Sequence, residues 1–118
     1  MTDPRSTAIE YAHANSARFL AELIDFGSIP SISTDPTAKA DMQRAAEWVA
    51  EQLTRLGANN IQIFPTPGHP VVFGEMLNAG SRAPTILVYG HYDVQPVDPI
   101  ELWQSGPFTP EIRGENIY

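Results

Sequence analysis

One short apolar stretch and the polar residues behind it constrain the fold of this chain more than any other feature. Residues 86–89 read Ile-Leu-Val-Tyr and are bounded by Pro84 and Gly90. A continuous apolar run of this length between chain-breaking residues predicts a strand that is buried on both faces, in the middle of a sheet. His91 and Asp93 follow at its carboxyl end, where ligands bind in open α/β sheets. The sequence therefore predicts a functional site at this strand end.

His91 and Asp93 have the residue types and the spacing of a metal ligand and its supporting carboxylate. In an extended backbone, the two-residue period places them on one side of the strand and Tyr92 on the other. An imidazole binds a metal through one ring nitrogen, while its other N–H usually donates to a carboxylate that fixes the tautomer. On this three-residue pattern alone, a structural histidine and a capping aspartate are the commoner outcome.

The letters around this pair carry a more specific signal. Residues 89–96 read Tyr-Gly-His-Tyr-Asp-Val-Gln-Pro, residues 103–108 have the pattern W-x-x-x-P-F, and residues 114–118 read Gly-Glu-Asn-Ile-Tyr. With its G-H-x-D-x-x-P core, this arrangement resembles the M20 family of metallopeptidases, and within it the dipeptidase branch that includes the carnosine-type dipeptidases. The resemblance is strongest over residues 85–118, and the segments ahead of it fit the same domain.

The resemblance implies a fold and part of a site. Residues 1–118 correspond to the N-terminal portion of a metallopeptidase catalytic domain with no second domain, an α/β zinc-exopeptidase-like fold in which helices layer on a sheet. The family implies His91 as a ligand to one of two divalent ions, zinc with manganese as the alternative, and Asp93 as the catalytic residue that orients it. No substrate-binding residue is assigned. The family's bridging aspartate, general-base glutamate and further ligands come after the position of Tyr118, so we expect a truncated domain, an incomplete site and little activity from this chain alone.

The function implied for the full-length protein is metal-dependent hydrolysis of dipeptides or short peptides. One alternative is an N-acyl amino acid deacylase or desuccinylase of the same family, which shares the H-x-D strand. Another is a non-catalytic α/β module that serves to oligomerise. The residues around Gln95 and the W-x-x-x-P-F segment favour the dipeptidase branch. A chain that ends inside an apolar strand predicts a fragment, and its unpaired edge favours a homo-oligomer.

Charge and composition exclude several classes of partner. A net charge of −7, with seven basic residues, argues against nucleic acid and anionic membranes. There is no cysteine, so any metal must depend on His, Asp and Glu. Residues 1–6 lack the layout of a secretory signal, and no run approaches the ~20 apolar residues of a membrane span. These features predict a cytoplasmic protein without nucleic acid or membrane partners, and the resemblance implies small peptides as its substrates.

The other elements follow from periodicity and from Gly and Pro. We predict one helix from about Ser6 or Thr7 to Phe26, and a second that is capped by Asp35 and ends at Gly57. The predicted buried stripe of the second helix is Met42, Ala45, Ala46, Val49, Leu53 and Leu56. Strands are predicted over residues 60–64 and 71–77, and two short ones around residues 114–116. The remaining expectations are that His13 and His69 are solvated and that Trp103 and Phe108 either wall the crevice or plug the end of the sheet.

Overall fold

The computed structural model describes residues 3–118. Met1 and Thr2, the first residues of the segment 1–6 that is predicted to lack a secretory signal, lie outside the described residues. The chain divides into two compact units, one made of the residues up to Ser28 together with Trp103–Tyr118, and the other of Ile29–Leu102. Within residues 3–118, none of the helices combines the length and the apolar character needed to cross a membrane.

The first unit begins with two helices where the sequence predicted one. Helix α1 spans Pro4–Ala14 and helix α2 spans Ser16–Gly27. They are separated at Asn15, whose backbone leaves the helical region at φ −108° and ψ 9°. The side-chain amide of Asn15 donates to the backbone oxygen of Tyr11 at 2.9 Å. Asparagine competes for backbone groups in this way, so the prediction of one uninterrupted helix is wrong at this residue.

The second unit contains a long helix that packs against a two-stranded sheet. A 3₁₀ turn at Pro36–Ala38 leads into α3, Lys39–Arg55, and the predicted cap is present because the Asp35 carboxylate accepts from the backbone N–H of Thr37 at 2.8 Å. Gly57 ends the helix with φ 79°, the left-handed stop that was predicted. The strands β1, Asn59–Phe64, and β2, Val71–Glu75, pair antiparallel across a loop.

The core of the second unit lies under the first half of α3. Its buried apolar side chains are Ile29, Ala38, Met42, Ala45 and Ala46. This confirms the start of the predicted stripe, whereas Val49 and Leu53 are only half-buried. Leu56 is exposed, and its predicted burial is wrong because it is the residue that caps the helix, beyond its last turn.

Residues 86–89, which the sequence predicted as a buried strand, are exposed to solvent. Their side chains are 82–88% exposed, and within residues 3–118 no strand pairs with them. A strand is buried on both faces only when neighbouring strands and covering layers surround it. The prediction of a buried strand over residues 86–89 is therefore wrong for this chain.

The first unit also contains the short hairpin that the sequence predicted near residue 115. Strand β3, Ile112–Arg113, pairs antiparallel with β4, Asn116–Ile117, and Gly114 turns the chain with φ 64°. The Arg113 guanidinium stacks over the Tyr118 ring, 4.6 Å from its centroid, and pairs with Glu111 at 3.0 Å. These contacts stabilise the short hairpin.

Candidate functional site

The His91–Asp93 segment is fixed by the connector that follows Ile29, and both belong to the second unit. Ile32 and Val94 form an isolated parallel β-bridge. The Val94 N–H donates to the Ser31 carbonyl at 2.9 Å, and the buried Ser31 hydroxyl donates to the Tyr92 carbonyl, also at 2.9 Å. These bonds hold the segment that follows residue 90 in register with residues 31–33.

His91 and Asp93 lie together on one side of this segment, as the two-residue period predicted. The Nδ1 atom of His91 is 3.0 Å from Asp93 Oδ1 and 3.0 Å from the Asp93 backbone oxygen. Both oxygens accept, so the neutral ring carries its proton on Nδ1. The Nε2 nitrogen is then unprotonated and keeps its lone pair, and the His91 side chain is 74% exposed. This is the arrangement of an imidazole that is oriented by a carboxylate and available to a ligand.

The Asp93 carboxylate is held from its other oxygen by Ser33. The Ser33 hydroxyl donates to Asp93 Oδ2 at 2.5 Å. This hydrogen bond is the main cause that lowers the pKa of Asp93 below its ordinary value; burial opposes it, and the contact with His91 lowers the pKa further. Asp93 is therefore an anion at neutral pH and accepts hydrogen bonds through both oxygens.

Tyr92 points away from the pair and attaches the segment to the loop before β2. Its hydroxyl donates to the Pro70 carbonyl at 2.5 Å. Burial raises the pKa of the Tyr92 phenol, and the negative charge of Asp93 raises it further. Tyr92 therefore stays a neutral donor and fixes the backbone between the two polar residues.

The loop histidine has a structural contact that the sequence did not reveal. His69 is half-buried, and its Nε2 lies 2.7 Å from the Ser33 carbonyl. Because a carbonyl only accepts, this ring carries its proton on Nε2. The prediction that His69 is solvated is wrong, whereas His13 on α1 is exposed as predicted. Trp103 and Phe108 belong to the first unit, and their expected place at the crevice stays a prediction.

Two serines of the site were missed by the sequence analysis. Ser31 and Ser33 fell within a segment interpreted only as a connector. Their spacing of two residues was the available signal, since it matches the spacing of His91 and Asp93 and would face them from a parallel segment. Across residues 3–118, no three His, Asp or Glu side chains converge as a possible metal site. The described residues therefore hold one oriented imidazole and not a complete ligand set.

Comparison with known proteins places this geometry in a family. No family model matches the chain. It is 34% identical over 102 residues to the Cys-Gly metallodipeptidase dug1 of Schizosaccharomyces pombe, over 77% of this chain and 21% of that protein. It is 37% identical over 108 residues to the probable di- and tripeptidase DUG2 of Saccharomyces cerevisiae, over 84% of this chain and 12% of that protein.

The solved structures agree with the sequence comparison. A structure of the di-peptidase Dug1p from Saccharomyces cerevisiae superposes with a TM-score of 0.82 at 27% identity, over 96% of this chain and 26% of that one. The fold is therefore that of part of a metallopeptidase, which confirms the predicted α/β class. The chain belongs to the M20 family of metallopeptidases, in the dipeptidase branch, and spans about a fifth of the length of the first curated relatives it matches.

Proposed function

We propose that the intact protein carrying this chain is a metal-dependent dipeptidase that hydrolyses dipeptides or short peptides. The likeness to Cys-Gly metallodipeptidases over most of the chain supports this activity. The observation that carries the proposal is the orientation of His91, whose Nδ1 proton is engaged by Asp93 while its Nε2 is presented outward.

The residues fit a metal site of which this chain supplies one part. A neutral imidazole nitrogen is a good donor for zinc, and zinc is the proposed metal, with manganese as the alternative and two ions in the complete site. When bound, such ions polarise the scissile carbonyl and make hydroxide available at neutral pH. His91 would hold one ion through Nε2, and Asp93 would keep the ring in the tautomer that binds it. The other donors would have to come from outside the described residues.

The test is the removal of the His91 imidazole in the intact protein. We expect His91→Ala to lower the content of bound divalent metal and to reduce dipeptide turnover by more than about a hundredfold, since loss of a ligand should exceed the effect of losing a group that supports one. His13→Ala is the matched control because it removes an exposed histidine of α1. If His91→Ala keeps both the metal and the turnover of the unmodified protein, the proposal is wrong.

A second candidate function is the removal of an acyl group from an N-acyl amino acid. The observation that favours it is 45% identity over 76 residues to a succinyl-diaminopimelate desuccinylase of Thioalkalivibrio sulfidiphilus, over 61% of this chain and 18% of that protein. Turnover of the intact protein on dipeptides and on N-succinyl amino acids separates the two. Preference for the acylated substrates would replace the dipeptidase assignment and leave the metal site unchanged.

The proposed setting is a cytoplasmic enzyme that forms a homo-oligomer. The acidic net charge suits such a protein and disfavours nucleic acid and membranes as partners. Location and assembly stay predictions from the sequence.

A further inference from the structure

The hydroxyl of Ser33 is placed to control the orientation of His91 through the carboxylate between them. We infer that Ser33 is a positioning residue that locks the Asp93 carboxylate, and thereby holds the His91 proton on Nδ1 and presents Nε2 to a metal ion. The metal part of this inference rests on the proposed function. The tautomer part concerns residues of this chain alone.

The two oxygens of the Asp93 carboxylate accept hydrogen bonds from different residues. Oδ1 accepts from His91 at 3.0 Å, and Oδ2 accepts from Ser33 at 2.5 Å. The terminal torsion of an aspartate is broad, so a carboxylate that is held at one oxygen only can rotate away from its partner. The Asp93 side chain is 36% exposed, and water therefore competes for it. The second anchor at Oδ2 removes this freedom.

Ser33 is itself held in place by its backbone contacts. Its backbone carbonyl accepts from His69 Nε2 at 2.7 Å, and the preceding residue, Ile32, bridges to Val94. The Ser33 hydroxyl is therefore presented by a backbone that contacts within this chain hold on both sides. A donor fixed in this way loses little conformational freedom when it holds the carboxylate.

The Ser33 hydroxyl has a different role from that of Ser31, which only joins the two backbone segments. Ser31 already joins the two segments through the Tyr92 carbonyl and the Val94 N–H. The Ser33 hydroxyl instead reaches the side chain of the residue that orients His91. Removing it should therefore change the state of the imidazole more than it changes the fold.

The decisive measurement is the tautomer of His91 in the intact protein after removal of metal by chelation. Nitrogen-15 shifts of the imidazole, assigned by comparison with His91→Ala, report which nitrogen carries the proton at a pH where the ring is neutral. The backbone oxygen of Asp93 still faces Nδ1 in Ser33→Ala, so we expect this variant to shift His91 in part from the Nδ1-protonated form towards the Nε2-protonated form. Ser33→Thr, which keeps a hydroxyl, should retain the original form, and Thr34→Ala, which removes a neighbouring exposed hydroxyl, should do the same.

The second measurement is the affinity of the metal-stripped protein for Zn²⁺. Groups that orient a ligand typically change affinity by about 10–100-fold, and we expect Ser33→Ala to raise the Kd for Zn²⁺ by about tenfold, at the low end of that range. Ser33→Thr should restore the affinity. An unchanged tautomer in Ser33→Ala overturns the inference, and so does an unchanged Kd in a protein whose His91→Ala variant loses Zn²⁺.

The outcomes distinguish this inference from the proposed function. If His91→Ala binds Zn²⁺ as the unmodified protein does, the metal role of His91 fails, while the tautomer measurement still decides the role of Ser33. If His91→Ala loses Zn²⁺ and Ser33→Ala behaves like the unmodified protein, the inference alone fails. Should Ser33→Ala not fold, Ser33→Val, which matches the shape of the threonine variant but has no hydroxyl, takes its place, and full retention of the Nδ1 form in Ser33→Val overturns the inference.

Discussion

At the scale of single residues, a hydroxyl that donates to a carboxylate recurs at two places in the second unit. Ser33 donates to Asp93 at 2.5 Å, and Thr37 donates to Asp35 at 2.7 Å. In both cases the hydroxyl stabilises the charged form and is the largest cause of a lowered carboxylate pKa. The first pair serves the candidate site, and the second serves the start of the segment that leads into α3.

The Asp35 pair makes the stability of the chain dependent on pH in a predictable direction. The pKa of Asp35 in the folded chain lies below the unperturbed value of 3.8, because the Thr37 hydroxyl and then its backbone N–H bind the carboxylate. The charge therefore stabilises the fold at pH values above 3.8, and this contribution is lost as the pH falls through the lower folded value. We expect the unmodified chain to be more stable than Asp35→Asn at neutral pH and to lose that advantage in acid.

Urea unfolding of both proteins from neutral to acid pH measures this difference. Thr37→Val is the informative companion because it removes the hydroxyl but keeps the carboxylate and the backbone donor. Its stability should depend less on pH in this range than that of the unmodified chain. A difference between the unmodified chain and Asp35→Asn that stays constant across the range would contradict the assignment.

The residues that could be predicted from the sequence are those whose partners lie nearby in the chain. His91 and Asp93 are two positions apart, and Asp35 caps a backbone N–H two positions ahead, so short spacing made the first pair and the cap predictable. Ser31 and Ser33 bind residues 61 and 60 positions away, and their own two-residue spacing does not specify which residues these are. His69 was misjudged for a related reason, since its partner is a backbone carbonyl, which every residue possesses.

At the scale of elements, α3 and the β1–β2 sheet were predictable because their patterns are local. Helical and alternating periodicity differ clearly on either side of Gly57, and that glycine has the left-handed backbone expected of a stop. The break at Asn15 was not predictable from periodicity, because the apolar pattern continues across it. How closely the helix approaches the sheet was not predictable either, and it depends on Gly74. A methyl group there would lie 3.1 Å from Leu53 Cδ1 and 3.4 Å from Ile61 Cγ1.

We expect Gly74→Val to destabilise the chain by about 1–3 kcal/mol through overpacking between α3 and β2. The measurement is the free energy of unfolding in urea. Leu53→Ala provides the matched test, since it removes the side chain that a new group at position 74 would meet first. The loss caused by Leu53→Ala should be smaller in the Gly74→Val background, with a coupling of roughly 0.5–3 kcal/mol. Strictly additive effects would show that the two positions do not share this contact.

At the scale of the whole molecule, the exposed residues 86–89 are the largest departure from what the sequence predicted. An apolar composition shows that a segment can be buried, but other segments of the protein must cover it. Within residues 3–118 those neighbours are absent, and four large apolar side chains in succession face solvent. An unpaired apolar segment of this kind is a template for association with another chain.

We expect the 118-residue chain to self-associate through residues 86–89, and the associated fraction to rise with protein concentration. Val88→Lys should weaken the association because it places a charge in the middle of the apolar run. Leu77→Lys is the control, since it adds the same charge at another exposed apolar position in the second unit. Sedimentation velocity over a range of concentrations distinguishes them. A chain that stays monomeric throughout, or equal effects of the two substitutions, would contradict the prediction.

The parallel bridge between Ile32 and Val94 determines how the intervening chain can vary. Ring closure between points about 60 residues apart carries an entropic cost that grows only with the logarithm of the enclosed length, about 0.6 kcal/mol for each doubling. Extra residues in the exposed turn at 78–84 should therefore leave the imidazole where it is. A synthetic peptide covering only residues 85–96 should not reproduce it, because Ser31, Ser33 and Pro70, which hold its backbone and carboxylate, lie elsewhere in the chain.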